Sequence, residues 1–183
     1  MGEAPGAITL VQTVEEAESV RVADPELVAL VTQTTLSVDD TAGIVAVLRR
    51  RFPELHVPPT EDICYATTNR QGAVKELAGQ VDVLLVIGSE NSSNSNRLVE
   101  VARSAGVRSH LIDDEREIDE RWLEGVETVG VTSGASAPER LVRRVCDWFR
   151  ARGVIDIRPV SALVEDVFFR LPAEVRRPTS SAA

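Results

Sequence analysis

Lysine is almost missing from this chain: of 20 basic side chains in 183 residues, only Lys75 is a lysine. Nothing in the arrangement of the arginines calls for guanidinium chemistry, so the bias reads as that of a GC-rich genome. Clustered positive charge is missing too. With 29 acidic residues the formal charge is -9, and the arginines are spread along the chain, so the electrostatic footprint of a nucleic-acid binder is absent. Long apolar runs are also absent. The stretch 81–87, apolar but for Asp82, is far short of a bilayer span, and the first basic residue is Arg21, so no charged segment precedes a signal-like apolar one. The chain therefore reads as cytosolic, with neither membrane nor nucleic acid as a partner. Cysteine is nearly absent as well. Two of them make no disulfide framework, and in a reducing compartment each is core, ligand or nucleophile. What remains is a chain that is 43% hydrophobic, long enough for one ordinary domain or two small ones and able to bury roughly 70% of its unfolded surface.

Short β-rich runs alternate with longer segments of helical period, the pattern of βα units that build a parallel sheet. Strands are expected over 7–12, 27–33, 81–87, 108–112 and 128–132, apolar and mostly β-branched as strands covered on both faces should be. Thr13 with Glu16 makes a capping box for a short helix, and Ser37 precedes an apolar-periodic run through Ile44, Val45, Val47 and Leu48. A helix beginning near Asn94 ends at Gly106, and Ser136 with Glu139 frames a capping box for a helix that stops at Gly153. The stretch 53–62, holding Pro58 and Pro59, breaks the alternation and is the linker candidate. The expected organisation is an incomplete α/β domain over 1–60, a complete one over 61–153, and C-terminal β-like segments, 154–160 and 164–171, with a flexible tail over 154–183.

Hydroxyl and amide side chains gather where strands end and helices begin. In open α/β sheets that is where ligands bind, because helix N-termini offer free N–H groups and partial positive charge to anions. Four clusters occur: residues 32–35, 64–69, 92–96 and 133–136. None is a Walker loop or a dinucleotide fingerprint. Any one of them is explained by the preference of Ser, Thr and Asn for caps and turns. One cap needs one oxygen, however, and the run from Asn91 to Asn96 brings several side chains to a single helix start. A phosphorylated or diphosphorylated ligand would use that surplus. Cys64 sits at a strand-to-helix corner among polar residues, where helix N–H groups would stabilise a thiolate. Cys146 has Val142, Val145 and Phe149 at helical spacing and reads as core. His56 and His110 have no cysteine or carboxylate at ligand spacing; the acidic run of Asp113, Asp114, Glu115 and Glu117 could suggest a cation site, but a loop beside a short helix explains it as well.

The runs TQTTLSVDDT, DICYATTNRQ, GSENSSNSNR and VTSGASAPERLV, in this order, resemble the carboxyl-terminal two-thirds of the 4-hydroxy-3-methylbut-2-enyl diphosphate reductase family. The resemblance implies parallel-sheet βα units of a three-domain reductase fold, one domain incomplete and one complete. It implies reductive dehydroxylation of that diphosphate to isopentenyl and dimethylallyl diphosphate in the non-mevalonate pathway, with electrons from ferredoxin or flavodoxin. A 4Fe-4S cluster held by three cysteines is implied, with Cys64 as one ligand. By the same resemblance Thr34 lies near the substrate hydroxyl as the catalytic threonine, Gln33 supports its pocket, and Ser92, Ser93, Asn94 and Ser136 hold the diphosphate. The family's amino-terminal Gly-Phe-Cys-Ala-Gly motif and its His-Pro-Glu-Val-Glu-Gly segment have no counterpart here, so the expectation is a truncated form inactive alone. The alternative is a diphosphate-binding module without redox activity.

Overall fold

The computed structural model describes residue 4, residues 6–58 and residues 63–160. The expected segment over 164–171 and the tail beyond it lie outside the described residues. The fold is α/β. Its centre is a three-stranded parallel sheet of β1 (Val83–Ile87), β2 (Arg108–Ile112) and β3 (Val129–Ser133), in the order β2-β1-β3. These are the last three strands expected from the sequence. Ile87 at the end of β1 lies opposite Ile112 of β2 and Ser133 of β3.

All five residues of β1 are fully buried, as a strand with neighbours on both edges and cover on both faces requires. Alternation sends Leu84 and Val86 to one face, where they meet Val74 of α3 (Tyr65–Ala78) and Leu98, Val101 and Ala102 of α4 (Ser93–Ser104). Leu85 and Ile87 go to the other, against Val145 and Phe149 of α5 (Glu139–Arg150). Each fully buried leucine contributes about 1.5–3 kcal/mol relative to exposure, so this short strand anchors the layers. α4 closes at Gly106, whose φ of +86° is the left-handed conformation a glycine reaches without a Cβ clash.

The first region is built differently. α1 (Val14–Ser19) packs on α2 (Val38–Arg51) around Ala17, Val47, Leu48 and Phe52. Thr13 Oγ accepts the Glu16 N–H at 3.1 Å, while the Glu16 carboxylate accepts from Gln12 N–H at 2.7 Å, so the box closes one residue earlier than the sequence pattern places it. Ser37 Oγ accepts the Asp40 N–H, and α2 carries Asp39 and Asp40 in its first turn and Arg49, Arg50 and Arg51 in its last, complementing its dipole.

Several expectations fail here. Residues 7–12 form no strand, and 27–33 contribute only an isolated parallel bridge between Ala29 and His56. Val28 and Leu30 turn inward while Leu27 and Val31 remain 79% and 77% exposed, so the strand alternation is present but no full ladder forms. Residues 154–160 are not strand either, with Ile155 fully exposed. The capping box at Ser136 does not form: α5 is capped by Pro138 without a side-chain hydrogen bond. The reason is local, since the residue before a proline is driven out of helical conformation, and Ala137 therefore cannot be the first residue of a helix capped by Ser136.

Gln71 of α3 joins the two regions. It is 2% exposed, its Nε2 donates to Leu36 O at 2.8 Å, and its Oε1 accepts from Val38 N–H at 3.1 Å. One amide thereby ties the start of α2 to the sheet-bearing region. No helix among the described residues is long and apolar enough to cross a membrane.

Candidate functional site

The connection after β1 leads to α4 on one face of the sheet, and that after β3 leads to α5 on the other. The carboxyl ends of β1 and β3 therefore part at a topological switch point, where α/β sheets bind ligands. The start of α4 lies there. Ser92 caps the helix, its Oγ accepting Ser95 N–H at 3.2 Å. Asn94 is 7% exposed and Ser95 1%, both against the sheet. A Cβ on Gly134, the residue after β3, would stand 3.5 Å from Asn94 Nδ2 and 2.2 Å from Ser95 Oγ. Glycine is needed there because the helix start meets the strand end so closely.

The start of α3 reaches the same cluster. Cys64 caps α3, its sulfur 3.1 Å from Thr67 Oγ1, and the Thr67 hydroxyl, 1% exposed, donates to Asn94 Oδ1 at 3.4 Å. Thr67 carries a single proton, which serves Asn94 when the cysteine is a thiol and the sulfur when it is a thiolate. The Thr67 hydroxyl, helped by backbone amides at the helix start, holds the Cys64 thiol below the usual thiol range against an opposing effect of burial. With Asn94 Oδ1 facing Thr67, its Nδ2 is left buried and without a partner. An unpartnered buried amide donor costs about 1–3 kcal/mol, so the group is poised for an acceptor. Arg70, two turns along α3, donates from Nη1 to Ser133 O at 2.9 Å, which ties α3 to the end of β3.

Helix starts elsewhere in the molecule carry carboxylates: Glu15 and Glu16 on α1, Asp39 and Asp40 on α2, Glu139 on α5. α3 and α4 have none in their first turns. The two helix N-termini that meet at the switch point thus keep their positive ends open to an external anion.

Of the residues singled out from the sequence, Cys64, Ser92 and Asn94 come together through Thr67 and Ser95. Ser93 is exposed on the first turn of α4. Ser136 is exposed in the turn closed by Ala137 N–H on Gly134 O at 3.0 Å, the turn whose glycine abuts Asn94 and Ser95. Thr34 is tied in through its backbone, which accepts Cys64 N–H at 3.3 Å, while Gln33 and Thr34 are both exposed. The clusters 64–69 and 92–96 held Thr67 and Ser95 without a role for either, and Arg70 lay outside them. Helical spacing from Cys64 would have placed Thr67 one turn and Arg70 two turns along α3, but not their partners across the sheet.

A cleft of about 420 Å³ lies elsewhere, lined by Ser37, Asp39, Asp40, Lys75 and Arg97 among others. Its cations are already matched: Lys75 bonds Asp39, and Arg97 bonds Glu100 and Asp40. Size alone is a poorer guide than the unpartnered Asn94 amide. Cys146 is half-buried on α5, across the sheet from Cys64. His110 is stacked on Trp122 with ring centroids 3.8 Å apart, and burial lowers its pKa. No group of three or more His, Cys, Asp or Glu side chains able to hold a metal occurs among the described residues.

A family model described as LytB protein matches residues 1–150. The chain is 59% identical over 177 residues to a 4-hydroxy-3-methylbut-2-enyl diphosphate reductase of Acidothermus cellulolyticus, covering 96% of this chain and 52% of that protein. It is 54% identical over 183 residues to the protein of that name from Cereibacter sphaeroides, covering 99% and 57%. Among solved structures, the E-1-hydroxy-2-methyl-but-2-enyl-4-diphosphate reductase of Plasmodium falciparum superposes with a TM-score of 0.74 at 35% identity, over 79% of this chain and 46% of that one. The chain spans about half the length of the curated relatives it matches.

Proposed function

The chain belongs to the LytB protein family, and from that premise we propose that it supplies the diphosphate-binding wall of a 4-hydroxy-3-methylbut-2-enyl diphosphate reductase. The whole reaction would be reductive dehydroxylation to isopentenyl and dimethylallyl diphosphate, in the cytoplasm, with ferredoxin or flavodoxin as electron donor. One observation carries the reading: a buried Asn94 amide donor without a partner, at the carboxylate-free start of α4 where β1 and β3 part.

Charge and hydrogen bonding divide the work. The N-termini of α3 and α4 favour the anion, and Arg70 adds a full positive charge beside Ser133. Asn94 donates from Nδ2, while Ser92, Ser93 and Ser136 offer hydroxyl protons to the diphosphate oxygens. Thr34, joined to Cys64 through the backbone, would face the substrate hydroxyl, with Gln33 beside it. A 4Fe-4S cluster needs several thiolates in fixed directions, and the described residues offer Cys64 there with Cys146 across the sheet, so they do not make its site by themselves. Cys64, with its lowered pKa, suits one ligand position. That single thiolate is what favours the second reading, a diphosphate-binding module without redox chemistry.

Titration with inorganic diphosphate tests the site. Asn94→Ala should weaken binding at least tenfold, as removal of a hydrogen bond worth about 1.5–3 kcal/mol to a charged oxygen would. Ser136→Ala should weaken binding while leaving stability within about 0.5 kcal/mol, because Ser136 caps nothing. Anaerobic reconstitution with iron and sulfide, with and without the amino-terminal part of a relative, separates the readings. Turnover on mixing that Cys64→Ser abolishes supports the reductase, and diphosphate binding without turnover supports the module.

A further inference from the structure

Ser95 takes no part in the binding scheme above, yet its hydroxyl is closely confined. It is 1% exposed, and a Cβ on either Gly88, after β1, or Gly134, after β3, would lie within 2.2 Å of its oxygen. The hydroxyl is thus wedged between the carboxyl ends of two neighbouring strands. Its proton goes to Ser92: Ser95 Oγ donates to Ser92 Oγ at 2.9 Å, and Ser95 N–H donates to the same oxygen at 3.2 Å.

A hydroxyl has two acceptor sites and one proton. Both acceptor sites of Ser92 are taken by Ser95, so the only hydrogen-bonding capacity Ser92 has left is to donate. We infer that Ser95 is a positioning residue that forces Ser92 to present its proton outward at the start of α4, committing the site to an anionic acceptor such as a diphosphate oxygen. This rests on the diphosphate reading of the site and adds to it a residue that does not touch the ligand. An ordinary N-cap leaves its hydroxyl free to rotate between donating and accepting. Ser95 removes that freedom before the ligand arrives, and the two glycines leave the room that allows it.

The experiment is a double-mutant cycle read by titration of the full chain with inorganic diphosphate. Ser95→Ala should weaken binding about three- to tenfold, the worth of one oriented hydrogen bond. With Ser92→Ala already present, Ser95→Ala should change affinity less than about twofold, because there is no hydroxyl left to orient. Gly134→Ala is the second variant. Its Cβ would sit 2.2 Å from Ser95 Oγ but 3.4 Å from Ser95 Cβ, so it displaces the hydroxyl without moving the helix. It should reproduce the loss in the wild-type background and add little once Ser95 is alanine. Additive losses in the Ser92–Ser95 cycle, or unchanged affinity in Ser95→Ala, overturn the inference. Diphosphate binding weakened by Ser92→Ala but not by Ser95→Ala overturns this inference alone, whereas no binding by the wild type overturns the site reading and the inference together.

Discussion

The region around β1 is held by a ladder of parallel strands with helices on both faces, whereas the described residues around α2 are held by helix packing and one bridge. Both contain a short run of branched apolar residues of strand character. At 83–87 every side chain is buried; at 27–31 the outward ones stay in water, and among the described residues two backbone hydrogen bonds, His56 N–H to Val28 O and Leu30 N–H to His56 O, stand in for a ladder. Strand propensity is a statement about surroundings more than about residues. β1 has β2 on one edge and β3 on the other within this chain, and the earlier segment has no such neighbours among the described residues. The candidate site follows the same division, since it grows where the three-stranded sheet ends.

The sharpest way to break this comparison is to truncate one residue in each region. Leu84→Ala, at a fully buried position touching both α3 and α4, should cost about 2–5 kcal/mol in urea unfolding. Leu27→Ala, 79% exposed, should stay within about 0.5 kcal/mol. Equal costs would mean that the first region buries Leu27 in solution. The next effect lies at the seam. Gln71→Ala strands the Val38 N–H and the Leu36 carbonyl, and should cost about 1–3 kcal/mol while speeding amide exchange at the start of α2 more than in β1.

The smallest effect is electrostatic. In the metal-free protein Thr67→Val removes the main cause that lowers the Cys64 pKa, so the pH midpoint of alkylation should move up towards the ordinary thiol value of about 8.5, and the rate at neutral pH should fall. The sign for stability follows from linkage. A lowered pKa means the fold favours the thiolate, a contribution present above the ordinary thiol pKa and lost as pH falls through the lowered one. Thr67→Val should flatten that dependence. A midpoint that stays put would show that the backbone amides, not the hydroxyl, govern the thiol.

How much of this could be read from the chain depends on distance along it. The sheet strands were legible because an uninterrupted apolar run such as 83–87 has few other uses, and Ser37 and Gly106 announced their helix ends through local chemistry. Ser92 and Asn94 were legible as a surplus of polar groups at one helix start. The capping box expected at Ser136 was a misreading, although the Ala137-Pro138 pair carried the signal against it. The roles of Thr67 and Arg70 were not legible, because their partners Asn94 and Ser133 lie 27 and 63 residues away. The bridge at Ala29 was missed for the same reason, as a strand's fate depends on neighbours the local sequence does not name.

Amide hydrogen exchange with and without inorganic diphosphate tests the central claim most directly, that the three-stranded sheet both stabilises the molecule and carries its anion site. The account predicts strong protection over 83–87, weak protection over 27–32, and a gain on adding diphosphate confined to the starts of α3 and α4 and the turn at 134–137. Equal protection of the two apolar segments, or a gain centred on α1 and α2, would contradict it.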